Sequence, residues 1–237
     1  SSRSEANYMQ GTAATVSISK GLDITGFISY RDIDATPNKD SLSTIATITG
    51  NGYHRTVSEM ARKHNTSIFA GGGNIRYFNN GFHIGMSAIY SSLNRELRPD
   101  TARIYKRWSA YGKRFWNAGV DYGYICGKFS FNGETATGDS HAVATINSLS
   151  YKLLGNLQIM ALQRFYAYRY YGMYANSFSD AGSIQDESGI YLGINWNISR
   201  HTTVMMYTDY AYFAWPKYMQ SFPETHSWDN MIQLVYN

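Results

Sequence analysis

Cysteine, proline, charge and long apolar runs are all scarce in this chain. Its one cysteine, Cys126, excludes an internal disulfide and a cysteine-rich zinc site. Four prolines leave strand ladders largely uninterrupted. Asp, Glu, Lys and Arg make up 16% of the residues, well below the roughly 25% of soluble domains. The apolar runs are far shorter than the roughly 18 residues of a membrane-spanning helix, so any insertion into a membrane would have to use strands.

Aromatic residues and glycines are plentiful. Phe, Trp and Tyr make up 16% of the chain, with 21 tyrosines and 21 glycines. Low charge combined with many tyrosines favours β-structure that has aromatic side chains at a membrane interface. The net charge of +4 is modest and does not by itself indicate a nucleic-acid or lipid-binding surface.

The stretch from Asn74 to Leu93 contains one complete unit of the pattern that the chain repeats. From Phe82 the residues alternate, with an apolar set (Phe82, Ile84, Met86, Ala88, Tyr90) and a small polar set (His83, Gly85, Ser87, Ser91). A period of two predicts a strand, and Asn79-Asn80-Gly81 predicts a tight turn before it. The small polar face would be a poor core for a soluble sandwich, so the pattern favours a wall with lipid outside and a polar interior.

Similar alternation elsewhere predicts about eleven strands. The tight links contain Gly21, Asn80, Gly127, Gly155 and Arg200 and alternate with mostly longer connections. All the short turns therefore fall at one end, as in bacterial outer-membrane barrels with short periplasmic turns and long extracellular loops. We predict an all-β, transmembrane, antiparallel up-and-down β-barrel in the bacterial outer membrane, with residues 1–237 as one barrel region.

The strand count and the first residues predict that this region belongs to a longer chain. Bacterial single-chain barrels close with an even number of strands, whereas this sequence predicts an odd number. The sequence begins SSRSEANYMQG, without a visible secretory signal, so either the signal has been cleaved or this is an internal piece of a longer chain. We expect an internal piece of a larger barrel.

The alternation also assigns side chains to the two faces of the wall. We expect the following residues to face lipid: Ile84, Met86, Tyr90, Tyr124, Ile190, Leu192, Ile194, Trp196 and Tyr210. We expect the following residues to line or plug the lumen: Arg31, His54, Arg55, Glu59, Arg76, Asp121, Lys128, Glu134 and Asp209. The hairpin formed by residues 141–152 and 156–168 alternates more weakly, so its faces stay unassigned.

Several short motifs resemble one family of proteins. They are Asn51-Gly52-Tyr53-His54-Arg55-Thr56, Gly72-Gly73-Asn74-Ile75, Gly133-Glu134-Thr135-Ala136, Tyr174-Ala175-Asn176-Ser177-Phe178 and Tyr212-Phe213-Ala214-Trp215-Pro216. In this order they resemble Bacteroidota outer-membrane proteins that join helix-hairpin-helix repeats, similar to those of competence proteins, to a C-terminal barrel. The resemblance implies further strands on both sides of the matching region. The repeats, which suggest DNA as a cargo, do not occur in this sequence.

Two groups of polar residues have both a functional and a structural interpretation. His54, Arg55, Glu59 and His64 could form a metal or catalytic cluster, but no HExxH spacing is present. We favour a polar segment that folds into the lumen and is held there by charge pairs with the wall. The charged lumen residues could form a selectivity filter, although we favour a structural network that fills the barrel.

The basic stretch and the tyrosines likewise leave alternatives open. The stretch from Asn94 to Trp116 contains seven Arg and Lys residues and could bind phosphate groups of lipopolysaccharide or DNA; a solvated loop is the commoner explanation. Aromatic residues near the strand ends could stack on a ligand, but an interfacial girdle is favoured: Tyr30, Tyr90, Tyr124, Trp196, Tyr210 and Tyr236.

Three functions are compatible with these sequence features. The first is a channel or transport protein for solute or, through the resemblance, DNA. The second is a non-catalytic barrel subunit or scaffold that binds other envelope proteins. The third is an outer-membrane hydrolase, which ranks last because no GxSxG motif occurs. We expect no enzyme activity and no cofactor, and we expect outer-membrane lipid and lipopolysaccharide as partners.

Overall fold

A single sheet, antiparallel at all but one short pairing, contains every strand that the structure describes. The computed structural model describes residues 8–39, 43–50, 52–220 and 223–236. The strands are β1 (Gly11–Ser19), β2 (Leu22–Ile33), β3 (Ala35–Pro37), β4 (Thr44–Ile48), β5 (Thr66–Asn79), β6 (Phe82–Leu97), β7 (Gly112–Cys126), β8 (Phe129–Gly138), β9 (Val143–Leu154), β10 (Leu157–Tyr166), β11 (Glu187–Asn197), β12 (Thr202–Phe213) and β13 (Thr225–Tyr236). A four-residue helix, α1 (Val57–Met60), and a short 3-10 turn over Ile104–Lys106 complete the elements. No helix in these ranges is long and apolar enough to cross a membrane.

The eleven long strands follow one another around the wall in chain order. Their order is β1-β2-β5-β6-β7-β8-β9-β10-β11-β12-β13, with antiparallel pairing at each step. This confirms the predicted all-β, up-and-down antiparallel fold and all eleven predicted strands. In the described residues β1 and β13 form the two edges and do not pair with each other.

The five predicted tight connections all lie at one end of the sheet, although the β8–β9 connection at the other end, residues 139–142, is also only four residues long. Asn79 pairs with Phe82 across a two-residue turn, in which Asn80 (φ 46°) and Gly81 (φ 84°) both have positive φ. This is the backbone that a type I′ hairpin requires, and Asn-Gly tolerates it best. We call this end of the sheet the turn end and the opposite end the loop end.

The connection between β2 and β5 differs from the prediction. It contains a hairpin, β3–β4, whose second strand pairs in parallel with the end of β6, Thr44 beside Glu96 and Ile45 beside Leu97. The helix in this connection covers only Val57–Met60. Strands of three and five residues are too short to show a periodicity in sequence, which is why alternation does not identify β3 and β4.

The strands have an exposed apolar face and a less exposed, more polar face. In β2, for example, Ile28 and Tyr30 are exposed, whereas their neighbours Ser29 and Arg31 are buried. We call the less exposed side the inner face. At the loop end it carries a core packed under the β3–β4 hairpin: Ile33, Ala35, Ile45, Ile68, Leu93, Leu97 and Phe115.

Candidate functional site

The inner face of β10, β11 and β12 carries a buried charge cluster, which we call the inner ion cluster. Arg164 of β10 donates from Nε to Oε1 of Glu187 on β11. It also donates in a two-pronged arrangement to Asp209 on β12, with Nη1 to Oδ1 at 2.7 Å and Nη2 to Oδ2 at 3.1 Å. The side chains of Arg164 and Glu187 are fully buried. Such paired, planar contacts are the strongest that a guanidinium makes with carboxylates.

Gly189 allows Arg164 to reach across β11. Gly189 pairs with Arg164 on one side and with Ala211 on the other. A Cβ atom at this position would lie 2.5 Å from Cζ of Arg164. The guanidinium therefore occupies the space that a side chain would need, and it spans three strands for that reason.

The connection between β10 and β11, residues 167–186, is tied to this cluster, and we call it the inner loop. The Glu187 carboxylate accepts the backbone N–H groups of Asp180 (2.9 Å) and Ala181 (3.2 Å). The hydroxyl of Tyr166 donates to the Phe178 carbonyl at 2.7 Å, and the Phe178 ring lies 5.0 Å from the Arg164 guanidinium. One side of the inner loop is thus fixed to the wall by the cluster that holds three strands together.

The middle of the inner loop crosses to the strands on the other side of the inner face. Asn117 of β7 donates from Nδ2 to the Tyr171 carbonyl at 2.9 Å. Tyr171, Met173 and Tyr174 pack against the core under the β3–β4 hairpin. The inner loop therefore bridges β10–β11 and the inner surface of strands β2 to β7, as a plug or constriction would.

A cavity of about 290 Å³ remains between the inner loop and the wall. Asn74, Asn117 and Glu134 line it from the strands, and Tyr170 and Tyr174 line it from the loop. Burial, and then the nearby charge of Glu134, raises the pKa of the Tyr170 phenol, so this tyrosine stays neutral at ordinary pH. The cavity thus presents neutral hydrogen-bonding groups and one carboxylate.

The segment around His54 also folds onto the wall at the loop end. Nε2 of His54 contacts Oδ2 of Asp34 at 2.5 Å, and Asp34 accepts the backbone N–H of His64 at 2.9 Å. Burial raises the pKa of the Asp34 carboxyl, but these hydrogen bonds and the two histidines outweigh it, so the pKa is lowered. A cavity of about 420 Å³ adjoins this group.

Glu59 does not join the two histidines. It caps α1, accepting the N–H groups of Arg55 and Thr56, while the Thr56 hydroxyl accepts the Glu59 N–H. The hydrogen bond from the Arg55 N–H is the main cause that lowers the pKa of Glu59. No cluster of three or more potential metal ligands occurs among the described residues.

The other predicted lumen residues lie at different heights, and one of them, Lys128, lies in the β7–β8 turn and not on the inner face. Arg31 is buried near the loop end, with its guanidinium 4.4 Å from the ring of Tyr8. Asp121 lies 3.8 Å from His83. Arg76 and Lys128 are exposed near the turn end. These four residues do not form a single ring of charges with Glu134 and Asp209.

The predicted lipid-facing residues all lie on the exposed face of the strands. The nine side chains, from Ile84 to Tyr210, are between 38% and 63% exposed. This placement fits the predicted contact with lipid, which stays a prediction.

Arg164 and Glu187 were not predicted as site residues. On β9 and β10 the inner face carries Ala144, Ile146 and Leu162 around Arg164, whereas the outer face carries Asn147 and Gln163. Polarity is therefore partly inverted between the faces, and alternation could not identify the inner one. The usable signal was the arginine itself, because a charge within a strand needs a partner when it is buried.

The three loops that contain Trp108, Tyr168 and Trp215 contact one another at the loop end. We call this group of loops the loop cap. The rings of Trp108, Tyr168 and Trp215 contact one another at 5.4–5.7 Å. Trp215 Nε1 donates to the Ile104 carbonyl. The guanidiniums of Arg169 and Arg107 lie 4.3 Å and 5.9 Å from the Trp108 ring centre. Arg107, from the basic stretch, thus lies near the same aromatic ring as Arg169 of the inner loop.

Comparisons with known proteins give a distant structural likeness. No known family model matches the chain, and no curated protein sequence matches it either. Among solved structures, it is similar to OmpT (in-vitro folded), an outer membrane protein of Vibrio cholerae. The superposition covers 95% of this chain and 88% of that chain, at 8% sequence identity and a TM-score of 0.34. A likeness this distant assigns no activity, and the resemblance to the helix-hairpin-helix family stays a prediction.

Proposed function

We propose that this chain forms part of a β-barrel wall in the bacterial outer membrane and takes part in the passage of solutes. The observation that carries the proposal is the inner loop, which is tied across a polar inner face while apolar side chains occupy the exposed face. Lipid would contact that exposed face, and the inner loop would set the width of the path behind it. DNA remains a candidate cargo through the resemblance alone.

The inner loop would act as an adjustable constriction. One side of it is held by backbone N–H groups that donate to the buried carboxylate of Glu187, whereas on the other side Asn117 donates one neutral hydrogen bond to the Tyr171 carbonyl. This neutral hydrogen bond contributes about 1 kcal/mol, and the packing of Tyr171, Met173 and Tyr174 against the core adds to it, so this side opens only when both are released. The path would widen when this side opens.

A reversible lock on the inner loop tests this function. A Cβ on Gly172 would lie 3.3 Å from Oδ1 of Asn117 but 2.7 Å from Cβ of Ala175, so Asn117→Cys with Gly172→Cys is made in a Cys126→Ser, Ala175→Gly background, which removes the clash and brings the two thiols close enough to test for a disulfide. We expect lower planar-bilayer conductance when the full protein is oxidised and recovery on reduction. The single variant Gly172→Cys is the control and should not respond. A protein that never conducts, even with the inner loop shortened, would overturn the transport role.

We also propose that the loop cap binds phosphate groups of lipopolysaccharide. Arg107 and Arg169 are exposed and both lie over the Trp108 ring, and a guanidinium fork matches phosphate oxygens. We expect Arg107→Ala with Arg169→Ala to bind phosphorylated lipopolysaccharide more weakly, with binding of dephosphorylated lipopolysaccharide unchanged. Equal binding of both lipids by the unaltered protein would contradict the proposal.

A further inference from the structure

The exposed face of the sheet carries a polar cluster within its apolar surface, and we call it the outer polar cluster. It consists of Tyr122, Thr135, Thr145, Asn147 and Gln163. The register places Asn147 opposite Gln163, and Gln163 opposite exposed Ile190. Directly opposite residues of an antiparallel ladder share a face, so these polar groups point to the same side as the residues proposed to contact lipid.

The cluster is joined by its own hydrogen bonds. The Tyr122 hydroxyl donates to Oδ1 of Asn147 at 2.8 Å, and Nδ2 of Asn147 donates to Oε1 of Gln163 at 3.1 Å. The hydroxyls of Thr135 and Thr145 are 2.9 Å apart. The cluster is therefore an ordered arrangement rather than a set of separate surface residues.

Gly133 makes room for this arrangement. A Cβ there would lie 2.4 Å from both Oδ1 of Asn147 and the Tyr122 ring. Tyr122 consequently lies across the glycine and reaches Asn147 on the strand beyond it. The backbone of β8 is thus shaped to let the two polar groups meet.

Apolar residues border the cluster along both of its central strands. On β9 the outward residues on either side of Thr145 and Asn147 are Val143 and Leu149, both exposed. On β10 Phe165 lies two residues beyond Gln163, or roughly 6.6 Å along the strand. The cluster therefore lies within the apolar band and not at its border with water.

The outermost group of the cluster still has hydrogen-bonding capacity. Gln163 is exposed, and in the described residues its Nε2 donates to no acceptor, while its Oε1 can accept a second bond. Hydrocarbon offers no partner for an amide, and polar groups placed in it mark functional or contact positions. Next to the cluster, a groove of about 590 Å³ is lined by Leu149, Ala161 and Leu192 among others.

We propose that the outer polar cluster is the centre of a two-fold interface with a second copy of this chain inside the membrane. A second copy inserted in the same direction places its own Gln163 amide at the same depth, and an amide is both donor and acceptor. A two-fold interface requires a surface that complements itself in this way. The neighbouring groove receives apolar side chains of the same partner. This interface depends on the membrane position proposed above.

Cross-linking of the full protein tests the interface. In a Cys126→Ser background, Ile190→Cys places a thiol beside Gln163 without altering the cluster. Met86→Cys, on β6 and 63% exposed, is the control. With a short bifunctional thiol reagent, we expect a covalent dimer for Ile190→Cys and none for Met86→Cys. Gln163→Leu should weaken dimerisation at least tenfold, measured by mass in detergent, and retain the folded electrophoretic mobility.

Three results would overturn the interface: a single-protomer mass at every concentration, no linkage at Ile190→Cys, or linkage to a different protein. A lipid-soluble quencher separates this inference from the proposed function. If a fluorophore on Met86→Cys is not quenched, the membrane position itself fails. If it is quenched and Ile190→Cys stays unlinked, only the interface fails.

Discussion

Removing the cation from the inner ion cluster should destabilise the protein more than any exposed charge can. Arg164→Met deletes three hydrogen bonds at once and leaves the carboxylates of Glu187 and Asp209 facing each other without a cation. Breaking a buried ion pair from one side costs roughly 3–5 kcal/mol. Three charge-assisted hydrogen bonds at roughly 1.5–3 kcal/mol each would sum to more. Because they share one guanidinium, we expect the free energy of unfolding to fall by the smaller amount, roughly 3–5 kcal/mol.

The measurement is the free energy of unfolding in urea, with the protein in lipid vesicles. Lys128→Met is the matched control, because Lys128 is exposed in a turn and should change stability by no more than about 0.5 kcal/mol. The triple variant Arg164→Met, Glu187→Gln, Asp209→Asn removes the uncompensated charges and should recover most of the loss. A loss below about 1 kcal/mol for Arg164→Met, the value of an exposed pair, would refute the buried cluster.

Two further predictions concern Gly189 and Asp34. Gly189→Ala should displace the Arg164 guanidinium and lower the free energy of unfolding by at least about 1 kcal/mol. The control is Gly26→Ala, which should not lower it, because nothing lies within 4 Å of the added Cβ. Equal effects of the two substitutions would contradict the role of Gly189. The pKa of Asp34 is lowered in the folded state. Its ionised carboxylate therefore stabilises the fold at pH values above the pKa of the unfolded state, about 3.9. This stabilisation is lost as pH falls through the pKa of the folded state. The difference in stability between the unaltered protein and Asp34→Asn should therefore persist at mildly acidic pH and close only at strongly acidic pH. A difference that is already lost as pH falls from about 7 to 5 would contradict the lowered pKa of Asp34.

The wall of the fold could be predicted from sequence because alternation is a local signal. Ile84 and Met86 alternate with Gly85 and Ser87, and the Asn80-Gly81 turn fixes the register of their hairpin. The pattern identifies strands wherever one face contacts a different medium from the other. The alternation is clear in most of the long strands and weaker in β9 and β10, where polarity is partly inverted between the faces, and β3 and β4 are too short to show it.

The candidate site could be predicted only in part, because its contacts join distant parts of the chain. Asn117 and Tyr171 are separated by 54 positions, and no periodicity relates them. The inner ion cluster depends on the register of three strands, which alternation within one strand does not give. Alternation therefore assigned Asp209 to the interior but did not identify Arg164 as its partner. Glu59 had a local signal, since Thr56 and Glu59 have the spacing of a capping box. That signal accounts for its separation from His54 and His64.

The parallel pairing of β4 with β6 has a consequence for the order of assembly. β4 precedes β5 and β6 in the chain, so its partner edge does not exist until the β5–β6 hairpin has been made. The closing of a long loop has an entropic cost that neighbouring hairpins avoid. We therefore expect the hairpins of neighbouring long strands to form early. The β3–β4 hairpin and the inner loop would pack against the sheet afterwards. Until then Ile68, Leu93 and Phe115 lack the packing against Ala35 and Ile45, so the partly assembled protein exposes an apolar patch at the loop end.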